Sequence, residues 1–174
     1  MQSSDVPTPV GRFAFSLSSF GGKLGCAPMP LVLASPEDGC GQVLNEAEVK
    51  GKVAMVLRGG CFFAEKVRNL QEAQAAGVIV VNTKGSPLMP MPAGELPVHD
   101  LKIPAVLVEH AAWAPVKRAV HTAAAAASVA RWQQLDEPGA DDGATVPSTL
   151  YVQPRQAQLC SAHTVGGCCP WAIL

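Results

Sequence analysis

Residues 51–82, GKVAMVLRGGCFFAEKVRNLQEAQAAGVIVVN, constrain the fold more than any other part of the chain. Val53 through Leu57 is an unbroken apolar run between Gly51-Lys52 and Arg58-Gly59-Gly60. A short apolar run between turn signals fits a strand covered on both faces. Phe63, Val67, Leu70, Gln74 and Gly77 then recur at helical spacing, with Gln74 the polar member. Glu65, Lys66, Arg68, Asn69 and Glu72 are expected mostly on the opposite, solvent-facing side, with Arg68 and Glu72 one turn apart. Gly77 follows the last periodic residue, where a left-handed helix stop suits glycine. Val78 through Val81 resumes as a β-branched strand. A strand–helix–strand unit this short predicts a parallel pair joined by a right-handed crossover.

The remainder organises around this unit. Residues 1–10 are a polar, proline-containing lead-in. Residues 13–17 alternate and predict an edge strand, and 31–34 predict another. Residues 83–102 form a long loop with five Pro or Gly positions before Pro97 (Gly85, Pro87, Pro90, Pro92, Gly94), and it also carries Leu88, Met89 and Met91. Loops this long are uncommon and often functional. Val116, Ala119, Val120 and Ala123 mark a second helix, with Pro115 in its first turn. Residues 128–132 predict a closing strand. From Gln133 onward an acidic, turn-rich stretch predicts a flexible tail.

Composition excludes several classes. A charged fraction of 16% and a net charge of −1 give no electrostatic case for nucleic acid or anionic lipid. No apolar run approaches the roughly 20 residues that span a bilayer. The most apolar stretch, 111–132, is cut by Pro115, Lys117, Arg118, His121 and Arg131. Catalytic signatures are missing: there is no G-x-S-x-G, H-E-x-x-H or phosphate-loop pattern. His99-Asp100 and Glu109-His110 are adjacent pairs whose side chains diverge on extended backbone. Cys160-x-x-His163 and Cys168-Cys169 offer four soft ligands, but vicinal cysteines have the wrong spacing for one zinc ion. Neither a metal nor another cofactor is expected.

The 51–82 motif closely resembles the central motif of the protease-associated (PA) domain family, GKI-x-LV-x-RGGCSF-x-EK-x-x-NAQ-x-AGA-x-AVI-x-x-N. The flanks agree: Phe20-Gly21, the segment LVLASPEDGCGQVLN at 31–45, and DLKIPAVLV at 100–108 stand where the family has its own landmarks. The resemblance spans 11–132. It implies an α/β fold of the swivelling β/β/α type, a central sheet or open barrel flanked by two helices, with 133–174 as a cysteine-containing tail. It also implies a disulfide between Cys40 and Cys61, clamping the turn to the preceding loop. Such a bridge would close about twenty residues and contribute ~3 kcal/mol. Two buried free thiols are the alternative, and Cys26 has no evident partner.

The turn is the candidate site. Arg58, Gly59 and Gly60 precede a helix amino terminus, which favours anionic groups or peptide backbone. One of Phe62 and Phe63 packs beneath the turn while the other faces outward, and Met89 and Met91 of the long loop complete an apolar lip. The competing reading pairs Arg58 with a local carboxylate and places both rings in the core. In PA-containing sorting receptors the matching turn resembles a ligand-contacting loop. The resemblance therefore implies a non-catalytic module that binds a protein or peptide in the endomembrane lumen or outside the cell. An accessory, substrate-gating domain of a larger hydrolase (subtilase, aminopeptidase or mannosidase-like) is the alternative. MQSSDVPTPVGRF, residues 1–13, has neither the basic nor the apolar region of a secretory leader. A piece of a longer protein, joined to a catalytic or membrane region, reconciles that terminus with a lumenal family; a cytosolic protein is the other option.

Overall fold

The computed structural model describes residues 11–24, 29–122, 129–133 and 149–153. In chain order the elements are β1 (Gly11–Leu17), β2 (Met29–Leu33), α1 (Glu46–Val49), β3 (Val53–Leu57), α2 (Phe63–Glu72), β4 (Gly77–Val81), β5 (Ala105–Val108), a 3-10 turn (His110–Ala112) leading into α3 (Trp113–Thr122), β6 (Val129–Gln133) and β7 (Thr149–Gln153). The strands close a ring in the order β1-β5-β4-β3-β2-β6-β7. Four of them, β2, β3, β4 and β5, pair in parallel, with Met55 opposite Ile79 and Ile79 opposite Val106. The joins through β1, β7 and β6 are antiparallel.

Parallel strands with connections over both faces bury both faces, and the sequence shows it as unbroken apolar runs. All five residues of β4 and the first four of β3 are buried. Alternation then divides them between two cores. Ala54, Val56, Val78, Val80 and Leu107 pack with Val67 and Leu70 of α2. Val53, Met55, Ile79, Val81 and Val106 pack with Phe15 and with Ala112 and Val116 beside and within α3. The α/β class and the two flanking helices are as the sequence implies.

Several local expectations are corrected. The left-handed stop of α2 falls on Gln74, at φ 60, and not on Gly77. Gln74 N–H donates to Gln71 O and Ala75 N–H to Leu70 O, the paired bonds of a Schellman ending. Ala75 then turns inward while Gln74 is exposed, so the chain is free to start β4 at Gly77. There a Cβ would lie 3.4 Å from Pro104, so this glycine serves close packing. Lys66 is not on the solvent side: it is 0% exposed. Arg68 forms its ion pair with Asp100, and not with Glu72. The sequence pattern signals neither α1 nor β7, and 133–174 is not all tail, since β7 within it pairs with both β1 and β6. Cys26, Ala123, Cys160, His163, Cys168 and Cys169 lie outside the described residues.

Candidate functional site

The site begins where β3 ends. Arg58 N–H donates to Val81 O at 2.8 Å, so the first turn residue is still tied to β4. Gly59 and Gly60 follow at φ 109 and 81, backbone that side chains resist. At Gly60 a Cβ would also come within 2.9 Å of Cys40 Sγ and 3.0 Å of an Asp38 carboxylate oxygen. Cys61 is bonded to Cys40 with an S–S distance of 2.11 Å. The clamp implied by the resemblance is therefore present. Phe62 caps α2 through its extended backbone, without a side-chain cap bond.

The two phenylalanines divide as the peptide-lip reading requires. Phe63 packs against the α2-side core, and the Arg58 guanidinium sits 5.3 Å from its ring centroid. Phe62 is 58% exposed. A Cβ on Gly94 would lie 3.4 Å from Phe62 Cδ1, so the long loop passes directly against this ring. Among the described residues Arg58 has no carboxylate partner: its Nη1 donates to Asn82 Oδ1 at 2.8 Å. Arg58, Gly59, Gly60, Phe62 and Phe63 thus share one turn. Met89 is half-exposed on the long loop. Met91 is a correction: it is 0% exposed and belongs to the core. Its backbone explains why, since Met91 N–H donates to Leu17 O and Met91 O accepts from Ser19 N–H, which pins the loop to the end of β1.

Three polar residues that sequence reasoning missed hold the site in place. Lys66 Nζ donates to Asp38 O and Gly59 O and lies 3.2 Å from Cys40 Sγ. Burial pushes its ammonium pKa down, while the Asp38 and Glu65 carboxylates act in the opposite direction. Asn82, 1% exposed, receives Arg58 and donates to Ser86 O and Pro87 O, so one amide links the turn to the start of the loop. Gln71 binds the far end, donating to Asp100 O at 2.9 Å and accepting from Lys102 N–H. A signal for Lys66 was present. Phe63, Lys66 and Leu70 stand at i, i+3 and i+7, on one face of a helix. Gln71 and Asn82 stand at the Gln and final Asn of the quoted motif, but no local pattern shows that they bind the loop, Asn82 through the Ser86 and Pro87 carbonyls and Gln71 through the Asp100 carbonyl and the Lys102 N–H.

The arrangement is a rigid, covalently clamped turn with an exposed aromatic ring, flanked by an apolar loop. Among the described residues no group of three or more His, Cys, Asp or Glu could hold a metal ion. No helix among them is long and apolar enough to cross a membrane.

The PA-domain model matches residues 28–115, half of the chain and the whole of this site. The chain belongs to the PA-domain family. Relatives carry the domain in very different surroundings. The human ER degradation-enhancing alpha-mannosidase-like protein 3 is 42% identical over 77 residues, 41% of this chain and 8% of that protein. The Arabidopsis thaliana receptor homology region, transmembrane domain- and RING domain-containing protein 6 is 40% identical over 68 residues, 37% of this chain and 21% of its own. Vacuolar-sorting receptor 7 of the same plant is 32% identical over 105 residues, 55% of this chain and 16% of the receptor. Among solved structures, an aminopeptidase from Aneurinibacillus sp. strain AM-1 aligns over 85% of this chain and 31% of its own, at 18% identity and a TM-score of 0.51. That likeness is one of fold. The PA domain described here spans less than a quarter of each of these curated relatives.

Proposed function

We propose that this PA domain is a non-catalytic module that binds an extended protein or peptide segment across the 58–63 turn and the adjoining loop. The observation that carries the reading is Phe62, a large aromatic ring more than half exposed on a turn that is otherwise fixed by a disulfide, a buried lysine and two strands. Exposed aromatics on rigid supports contribute contact area with little loss of side-chain entropy, which is why they dominate binding hot spots. Gly94 against the ring lets the loop form a continuous wall with it. Support for a lumenal or extracellular setting comes from the Cys40–Cys61 bridge, since disulfides persist mainly in oxidising compartments. An ER degradation-enhancing protein and a vacuolar-sorting receptor among the relatives point the same way. In such a setting the module recruits cargo or substrate for a catalytic or membrane-anchored region of the same protein.

The test is selection of a displayed random-peptide library on the immobilised chain, followed by binding measurements with Phe62→Ala. Arg58 is tied to Asn82 and Phe63, so Phe62 is the cleaner probe. Loss of a central aromatic contact removes about 2 kcal/mol, roughly a thirtyfold weakening. The melting temperature should be unchanged. Peptides that bind the variant as tightly as the parent would remove the turn as the site.

A further inference from the structure

The surroundings of the Cys40–Cys61 bridge are unlike those of an inert structural disulfide. An ammonium has three donors. Two of those on Lys66 go to Asp38 O and Gly59 O, and the remaining approach is to Cys40 Sγ at 3.2 Å. A disulfide sulfur is a weak acceptor, so this donor is poorly satisfied while the bridge is closed. A thiolate at Cys40 would be a strong one. Both cysteines are half-buried beside exposed neighbours, Cys40 next to Gly41 and Cys61 between Gly60 and Phe62. The two sulfurs differ in charge environment, since Lys66 Nζ approaches Cys40 Sγ.

We infer that Cys40–Cys61 is a polarised thiol-exchange site, in which an external thiol attacks Cys61 and Cys40 departs as a thiolate held by Lys66. The co-reactant is a small thiol or the dithiol of a protein oxidoreductase. Its thiolate bonds to Cys61 Sγ as the Cys61–Cys40 S–S bond breaks, and the electron pair of that bond stays on Cys40 Sγ. A second thiolate then attacks the external sulfur of the mixed disulfide, releasing Cys61 as a thiolate and an external disulfide. Two external thiols are oxidised and one bridge is reduced. Exchange is faster when the leaving sulfur is the better-stabilised thiolate, which selects Cys40 as leaving group. The Lys66 ammonium is at contact distance from Cys40 Sγ, and the carboxylates of Asp38 and Glu65 act in turn on Lys66. Asp38 opposes the thiolate in part, but one of its oxygens already accepts from Cys40 N–H at 3.0 Å. The bridge ties the binding turn to the loop before α1, so its reduction would uncouple the two.

The experiment is exchange of the folded full chain with reduced glutathione at neutral pH, acid quenching, and peptide mass spectrometry of the early mixed disulfide. The adduct is expected on Cys61 with at least ~10-fold excess over Cys40. An even division, an excess on Cys40, or no exchange under conditions that reduce an exposed disulfide would overturn the inference. Lys66→Met, checked for folding by circular dichroism, should slow exchange by about tenfold and erase the preference. A variant that keeps the wild-type preference would show that Lys66 plays no part. If it does not fold, the wild-type regiochemistry alone decides.

Discussion

Two irregular segments meet at Phe62, and they are secured in opposite ways. The short segment, 35–41 with the 58–63 turn, is held by a covalent bond and by buried donors: Lys66 reaches Asp38 O and Gly59 O, and Asn69 donates to Gly39 O at 3.0 Å. Val56 of β3 packs so tightly beneath Gly39 that a Cβ there would meet it at 2.9 Å. The long segment, 83–103, has two buried apolar anchors, Met91 near its middle and Leu101 near its finish, and polar attachments at its two ends. Asn82 holds the start, while Arg68 and Gln71 hold the finish through Asp100, Pro97 and Lys102. Helix α2 supplies the attachments of the short segment from one flank and those of the long segment's finish from the other, while Asn82, just past β4, supplies its start. A rigid wall and a more loosely pinned wall around one exposed ring suit recognition that must be specific yet adjust to its ligand.

The contrast breaks most sharply at Met91. Met91→Ala leaves a cavity in the α2-side core and should cost about 4 kcal/mol in chemical denaturation. Below global unfolding, the loop should open first, so limited proteolysis should cleave after Lys84 and Lys102 faster while the turn keeps its amide protection. Equal deprotection of both segments would mean that the two walls are one cooperative unit, coupled through Phe62 and Gly94.

Lys66→Met probes the other wall. The bulk is kept, but the Asp38 and Gly59 carbonyls lose their donor, at about 3 kcal/mol for the pair. Amide exchange should rise at Gly59 and Gly60 and stay unchanged at Met91. If stability is unaffected, water replaces the ammonium and the buried lysine is dispensable for the fold.

How the sequence foreshadows these walls depends on the kind of force at work. The strands β3 and β4 and the glycine turn were legible, because apolar periodicity and turn chemistry are local signals, whereas which of the two phenylalanines faces outward, or whether both are core, was left open by them. The disulfide came through the family resemblance. The anchors were not legible in the same way. Lys66 binds a carbonyl 28 residues away, and a lysine in a helix reads as solvent-facing unless its phase with Phe63 and Leu70 is weighed above its charge. Met91 looks like a contact residue because it lies among prolines and glycines, and only its strand-like bonds to Leu17 and Ser19 draw it inward. Gln74 shows the converse. A polar residue took the left-handed position that composition assigns to Gly77, because the Schellman bonds fix the helix end and an exposed glutamine tolerates it.

Asn82→Ala tests the joint between the walls. It removes the acceptor for Arg58 and the donors to Ser86 O and Pro87 O. Losing these bonds of a buried amide should cost about 2 kcal/mol. The distinguishing readout is peptide binding: affinity should fall more than stability predicts, since both the turn and the loop origin are released. A drop no larger than that from a stability-matched core variant would show that Asn82 supports the fold and not the site.

The smallest effect is expected at the exposed flank of α2. Hydrogen bonding from Arg68 holds the Asp100 carboxyl below the usual carboxylate range, and the proximity of its charge acts in the same direction. A carboxylate with a depressed folded pKa binds fewer protons in the native than in the unfolded chain. Its contribution is therefore fully present above the unfolded value, near ~3.9, and is lost as pH falls through the folded value. Asp100→Asn should lower stability slightly at neutral pH, and the difference from the parent should vanish at the acid end of a pH series of denaturation midpoints. Because the pair faces solvent, the difference should also shrink at high salt. Gln71 keeps its bonds to Asp100 O and Lys102 N–H in the variant, so the loop end should stay attached. A difference that persists unchanged at low pH would assign the effect to loop geometry, making the two flanks of α2 equally structural.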